Sequence, residues 1–226
     1  MMMMMIKRGL ILFVLSFFTA IIYSQEKDFG IWYGAALKHE IVKNLDLEFS
    51  AMVRTFENAK KIEQGFLEGG VDFKFNDYLS AAGSYRLTSN YEDDLKYHLQ
   101  HKLFLDLKGT LKIYDISFTG RFRFQARYKT YFENVDDKIP DYTARFRLKA
   151  TYKTPSFPVN PYIYAETFLP LNDDTERVVG KNRFAAGMEF SIAKRHSIET
   201  EYLFQRDYLP KLRDENIISI NYNLKF

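Results

Sequence analysis

From Leu45 onward the chain repeats one pattern, in which apolar and polar side chains take turns at every second position. Leu45, Leu47, Phe49, Ala51 and Val53 fall on one side of such a segment, and Asp46, Glu48, Ser50, Met52 and Arg54 on the other. Period-two alternation places the two sets on opposite faces of a β-strand. Gln64 to Phe75 repeats it, with Leu67, Val71, Phe73 and Phe75 opposite Glu68, Asp72 and Lys74, and an Asn76-Asp77 turn leads into Tyr78 to Thr88. There Leu79, Ala81, Tyr85 and Leu87 oppose Ser80, Ser84 and Arg86. The spacing of three and four residues that marks an amphipathic helix is absent.

The middle of the chain carries the longest runs. Lys96, His98, Gln100, Lys102, Asp106 and Lys108 alternate with Tyr97, Leu99, His101, Leu103, Leu105 and Leu107, and a turn is expected near Gly109. Arg121, Arg123, Gln125 and Arg127 then alternate with Phe118, Phe122, Phe124 and Tyr128, and Arg145, Arg147 and Lys149 with Phe146, Leu148 and Ala150. Tyr162 to Leu169 has two readings: either Glu166 and the two tyrosines, or Ile163 and Leu169, point outward. Arg183, Glu189 and Ser191, then Ser197, Glu199, Glu201 and Gln205, continue the polar face. The last strand runs from Glu215 to Phe226, with Ile218, Ile220, Tyr222, Leu224 and Phe226 on one side. A weaker run, Ile31 to Ile41, opens the series.

About eleven strands with alternating short and long connections predict an all-β fold, a transmembrane antiparallel up-and-down β-barrel of ten to twelve strands. Short turns near Asn44, Asn76, Gly109, Ser156 and Lys194 would face the periplasm, and longer polar segments around Asn58, Asn90, Asp136, Asp173 and Lys211 would face outward. An odd count conflicts with the even parity of single-chain bacterial barrels. It implies either a missed short strand near Lys27 to Trp32 or an N-terminal segment outside the wall.

The start of the chain adds an address. Lys7 and Arg8 precede an apolar run from Gly9 to Ile22 and a Tyr23-Ser24-Gln25 exit. That is the layout of a cleaved signal peptide over residues 1–24, leaving a barrel over 25–226. The rival, a membrane-anchoring helix, falls short of the roughly 20 apolar residues needed to span a bilayer. With no cysteine, neither a lipid anchor on cysteine nor a disulfide framework is available. Losing Lys7 and Arg8 leaves 30 basic against 29 acidic residues, a balance of +1 that gives no reason to bind nucleic acid. A mean hydropathy of −0.31 beside 17% aromatic residues fits strands with one lipid-facing and one lumen-facing side.

The terminal strand, with Tyr222, Leu224 and the final Phe226, resembles the assembly signal of bacterial outer-membrane barrels. The Asp28-Phe29-Gly30-Ile31-Trp32 opening, the Pro161-Tyr162-Ile163-Tyr164-Ala165-Glu166 segment and Tyr222 to Phe226 together resemble a family of Gram-negative outer-membrane barrels known only as a domain of unknown function. The resemblance implies the barrel and a place in the cell outer membrane. Its partners would be outer-membrane lipids and lipopolysaccharide and the barrel assembly machinery. It implies no activity, no cofactor and no catalytic residue.

Any chemistry would sit on the polar face. Asp46, Glu48, Glu68, Asp72, Glu189, Glu199 and Glu201 are expected on one wall of the lumen, and Lys96, Lys102, Arg121, Arg123, Arg127, Arg145, Arg147 and Lys149 on the other. Two readings stay open: a structural barrel filled by cross-lumen ion pairs, or a narrow, porin-like passive pore that favours anions. A lipid acyl hydrolase or transferase is a third, with His98 and Ser80 or Ser84 as the available pair. A soluble, exported lipocalin-like barrel is a fourth, and would need the apolar face turned inward.

Metal and surface signals are weaker. His98 and His101 are an odd number of residues apart and point to opposite faces, so they cannot share a metal. The Asn172-Asp173-Asp174-Thr175-Glu176 stretch lacks the glycine and spacing of a calcium loop. Tyr85, Tyr97, Phe124, Tyr128 and Tyr142 are candidates for an interfacial aromatic girdle.

Overall fold

A computed structural model describes residues 28–92, 94–131, 138–155, 157–173, 178–209 and 211–226. The proposed signal peptide, the Ser156 turn, Asp136 and Asp174 to Glu176 lie outside them. Eleven strands form one closed barrel: β1 (Asp28–Val42), β2 (Leu45–Phe56), β3 (Lys61–Lys74), β4 (Leu79–Tyr91), β5 (Tyr97–Ile113), β6 (Ile116–Lys129), β7 (Asp141–Tyr152), β8 (Val159–Pro170), β9 (Lys181–Ala193), β10 (His196–Asp207) and β11 (Arg213–Lys225). Consecutive strands pair antiparallel. The sheet closes through a parallel pairing of β1 with β11, in register from Asp28 opposite Glu215 to Lys38 opposite Lys225.

That seam resolves the parity problem differently from either expectation. The opening run is a full strand that starts at Asp28, and it belongs to the wall. A parallel seam lets an odd number of strands close, because β1 then starts at the rim where β11 starts.

The two rims differ. One carries the two-residue turns at 43–44, 114–115 and 194–195 and the 75–78 connection, together with Phe226; the other carries the connections that follow β2, β4, β6, β8 and β10 and the start of β1. Asn44 (φ 70°) and Tyr114 (φ 50°) supply the left-handed residues that two-residue hairpin turns require. The turn expected near Gly109 lies instead at Tyr114-Asp115. Gly109 sits within β5 opposite Gly120, where β-propensity on both sides carries the strand through the glycine.

The faces separate cleanly. Leu67, Leu105, Leu148, Phe146, Ile163, Phe184 and Ile192 stand exposed on the outer surface. Asp46, Asp72, Asp106, Arg123, Arg145, Glu166 and Arg183 are buried inside. In β8 the ambiguity resolves with Tyr162 and Glu166 inward, each 4% exposed, and Ile163 outward at 62%. An apolar exterior around a charged interior inverts the arrangement of a soluble barrel, and the lipocalin-like reading falls with it.

Candidate functional site

The lumen is built from inward positions of every strand, and its middle is a girdle of arginine and aromatic side chains. Trp32 on β1 lies under Arg54 of β2, with the guanidinium carbon 3.8 Å from the ring centroid. Arg54 also approaches Phe66 at 5.2 Å, and Arg86 of β4 covers the same ring at 3.8 Å. Arg86 and Arg123 flank Phe104 at 5.0 and 4.5 Å. Arg145 and Arg183 flank Phe168 at 4.2 and 4.8 Å, and Arg183 returns to Trp32 at 5.1 Å. Leu203 on β10 and Ile217 on β11, both fully buried, pack with Trp32 and Ala185 and complete the circuit. Desolvated cation–π contacts of this kind contribute about 0.5–2 kcal/mol each.

Carboxylates tie part of this girdle down. Asp106 takes both Nε and a terminal nitrogen of Arg123, at 2.5 and 2.7 Å. Glu68 accepts from Arg86 Nε at 2.5 Å and from Ser84 Oγ at 3.2 Å. Glu166 accepts from Arg145 at 3.0 Å and also from Arg121. Its cross-strand neighbours are Arg147 and Arg183. Among the described residues Arg54, Lys102, Arg147 and Arg183 form no ion pair: Arg183 Nε donates to Gln205 Oε1 at 2.7 Å, and Arg147 stands 5.5 Å from the Tyr164 ring. The mid-lumen therefore holds a surplus of positive charge.

Toward the short-turn rim the lumen widens into a cavity of about 570 Å³, reaching from Lys38 and Lys225 at the mouth to Asp106, Arg121, Arg123 and Arg147 at its base. Toward the other rim, charged groups cross-link the wall. Arg127 meets Asp141 at 2.7 Å, Lys181 meets Asp207 at 2.7 Å, and Gln205 donates to Glu215 at 2.8 Å.

The residues singled out in sequence distribute as follows. Asp46 is fully buried between Lys38 (3.0 Å) and Lys74 (2.7 Å), and Glu48 also meets Lys38, at 2.5 Å. Asp72 pairs with Lys108 at 2.5 Å, Glu199 with Lys149 at 3.1 Å, and Glu189 with Lys153 at 3.6 Å. Glu201 receives the hydroxyls of Tyr162 (2.9 Å) and Tyr164 (3.3 Å). Lys96 is exposed in the turn before β5, and Lys102 is half-buried in the lumen. Arg54, Arg86 and Arg183 interrupt the acidic side and Asp106 and Glu166 the basic one, so the two walls are mixed. Alternation alone could have found Arg54, Arg86, Asp106 and Arg183; Glu166 was hidden by the ambiguity of β8.

The serine–histidine pair does not form. On the β4–β5 ladder Ser84 faces Phe104 while Asn90 faces His98, six residues along the strand, or roughly 20 Å at ~3.3 Å per residue. Ser80, opposite Lys108, is farther still. His98 instead stacks on Tyr131 and bonds Asp94 at 2.9 Å, and that hydrogen bond holds the Asp94 carboxyl, in the β4–β5 turn, below the usual carboxylate range. His101 lies on the outer face with its Nδ1 2.6 Å from Tyr85 Oη. Asn172 ties the segment after β8 to the start of β7, accepting from the Tyr142 backbone and donating to the Pro140 carbonyl. Among the described residues no group of three or more His, Asp and Glu side chains is placed to hold a metal ion.

Solved barrels share this architecture. A bacterial polysaccharide outer membrane secretin is similar over 78% of this chain and 73% of its own, at 10% identity and a TM-score of 0.52. The NanC porin is similar over 78% of this chain and 86% of its own, at 14% identity and a TM-score of 0.51. At these identities the likeness is one of fold. No curated protein matches the sequence. A family model described as Protein of unknown function (DUF2490) matches residues 29–216, and the chain, an eleven-stranded closed barrel with a charged lumen, belongs to that family.

Proposed function

We propose that the protein is an integral outer-membrane β-barrel whose constricted, cationic lumen is a narrow passive conduit for small anions rather than an open channel. The observation that carries membrane insertion is the inversion of faces, with aliphatic and aromatic side chains outward on strands of 12 to 17 residues. Nine to eleven residues suffice to cross a bilayer at a barrel tilt. Placed in water, that belt would be a far larger apolar patch than a soluble monomer exposes.

The lumen reading rests on charge. In a purely structural plug every buried arginine would find a carboxylate, because an unpaired buried charge is expensive. Among the described residues Arg54, Arg147, Arg183 and Lys102 lack one, and a surplus of fixed cations at a constriction favours anions. Eleven strands also lie between the filled eight-stranded barrels and the open channels of about 16 strands. Two assays test the proposal: resistance of the native protein to alkaline extraction from outer membranes, and efflux of chloride against potassium from vesicles carrying the refolded protein. Release by alkali would overturn insertion, and faster potassium efflux would overturn the anionic preference.

A further inference from the structure

The base of the short-turn cavity carries a more specific feature than general positive charge. Arg121 and Arg147 face each other directly across β6 and β7, and the next inward pair, Arg123 and Arg145, does the same. Like charges directly opposite on a sheet repel. Asp106 and Glu166 neutralise Arg123 and Arg145. Arg121 must share Glu166 with Arg145, and Arg147 has no ion pair among the described residues. The Arg121 side chain is 9% exposed, and its Nε is a buried donor with no acceptor among the described residues. Lys108 stands on the neighbouring strand, its charge matched by Asp72. Lys108, Arg121, Arg123 and Arg147 line the base of the cavity together with Asp106 and Glu68, and Glu68 is itself paired with Arg86. Two guanidinium groups facing each other at the end of an accessible cavity, one of them without an ion pair among the described residues, are the elements of an oxyanion site, since guanidinium forks match the paired oxygens of carboxylates and phosphates.

We propose that the cavity is a binding site for a small oxyanion, a dianion of the phosphate type, held between the Arg121 and Arg147 guanidinium groups that line its base. The site deepens, and rests on, the reading of the lumen as an anion conduit, because it gives that conduit a resident stop on the short-turn side. The cavity opens toward this rim, and the girdle of Phe66, Arg86, Phe104 and Arg123 narrows the lumen beyond its base. Binding would relieve the Arg121–Arg147 repulsion, so occupancy and stability are linked.

The test uses the full barrel folded in detergent, titrated with orthophosphate at constant ionic strength and followed by calorimetry and by the temperature at which the heat-modifiable band is lost. Chloride at the same ionic strength is the reference. The site predicts saturable phosphate binding, a rise in the melting temperature absent with chloride, and a loss of affinity of about tenfold or more in Arg147→Gln, the effect of one charge-assisted contact. Arg147→Gln removes a repulsion and breaks no ion pair among the described residues, so this variant is expected to fold. Arg206→Gln, at the opposite rim, should bind as the parent does. Identical responses to phosphate and chloride, or unchanged phosphate affinity in Arg147→Gln, would overturn the proposal. The assay measures no transport, so a silent bilayer recording with intact phosphate binding would refute the conduit and leave the site standing, and the converse would do the opposite.

Discussion

Asp28 and Arg213, 185 residues apart in sequence, meet at 2.6 Å across the parallel seam that closes the barrel. The same carboxylate accepts the backbone N–H groups of Asn58 at 2.9 Å and Glu57 at 3.1 Å. Glu57, Asn58 and Ala59 are three consecutive residues in the left-handed region, at φ 51°, 57° and 62°. Such a run is costly for residues with a Cβ and turns a row of N–H groups toward one point. Asp28 is the anion at that point, so one side chain joins β1, the β2–β3 turn and β11.

Asp28→Ala should therefore cost about 1.5–3 kcal/mol, the range of hydrogen bonds to a charged acceptor. Urea titration followed by the fluorescence of Trp32, the single tryptophan, reads this directly. Arg206→Gln breaks a solvent-exposed pair with Asp214 at the same rim and should leave the midpoint near that of the parent. Equal midpoints for the two variants would deny Asp28 its closing role.

Gly187 makes room for Tyr162. A Cβ there would lie 2.6 Å from the tyrosine Cζ and Oη and 2.7 Å from the Thr200 carbonyl oxygen, which is backbone and cannot yield. Gly187→Ala should destabilise the barrel by about 1–3 kcal/mol. Gly65→Ala, whose added carbon meets nothing within 4 Å, should leave stability unchanged or slightly raised. The difference between their denaturation midpoints checks the packing of the lumen at β8–β10.

Arg123 and Arg147 look alike in sequence and should behave oppositely. Arg123→Gln strands the buried Asp106 carboxylate and should cost about 3–5 kcal/mol or block refolding. Arg147→Gln strands nothing and should refold with parental yield. Comparable losses in both would mean that Arg147 has an anionic partner within the fold.

Tyr222 and Phe226 anchor the last strand at the short-turn rim. Tyr222 Oη lies 2.6 Å from His196 Nδ1, the Phe226 ring meets His39 edge-on at 6.1 Å, and the Phe226 N–H donates to Lys38 O at 2.9 Å. Joint replacement of Tyr222 and Phe226 by alanine should lower the amount of folded protein in the membrane more than Arg147→Gln does. Equal yields in a fractionation experiment would contradict an assembly role for this strand.

Much of the wall was legible because a lipid-facing strand and a charged lumen force strict alternation on the sequence, as from Leu45 to Arg54 or from Lys102 to Lys108. The seam was not, because β1 alternates in the same way whether its neighbour runs parallel or antiparallel. Tyr162 and Tyr164 hid the direction of β8, since a tyrosine suits a lipid interface as well as a lumen carboxylate such as Glu201. The pairing of charges was also out of reach. Which guanidinium meets Asp106 or Glu166 depends on the stagger of neighbouring strands, and alternation fixes only the face.

The most direct test of the constricted cationic lumen is single-channel recording in planar bilayers across a potassium chloride gradient, comparing the parent with Phe66→Ala/Phe104→Ala. The account predicts small or unresolved steps for the parent, and larger steps for the variant with a reversal potential on the anion side. Large cation-selective steps from the parent barrel would contradict it.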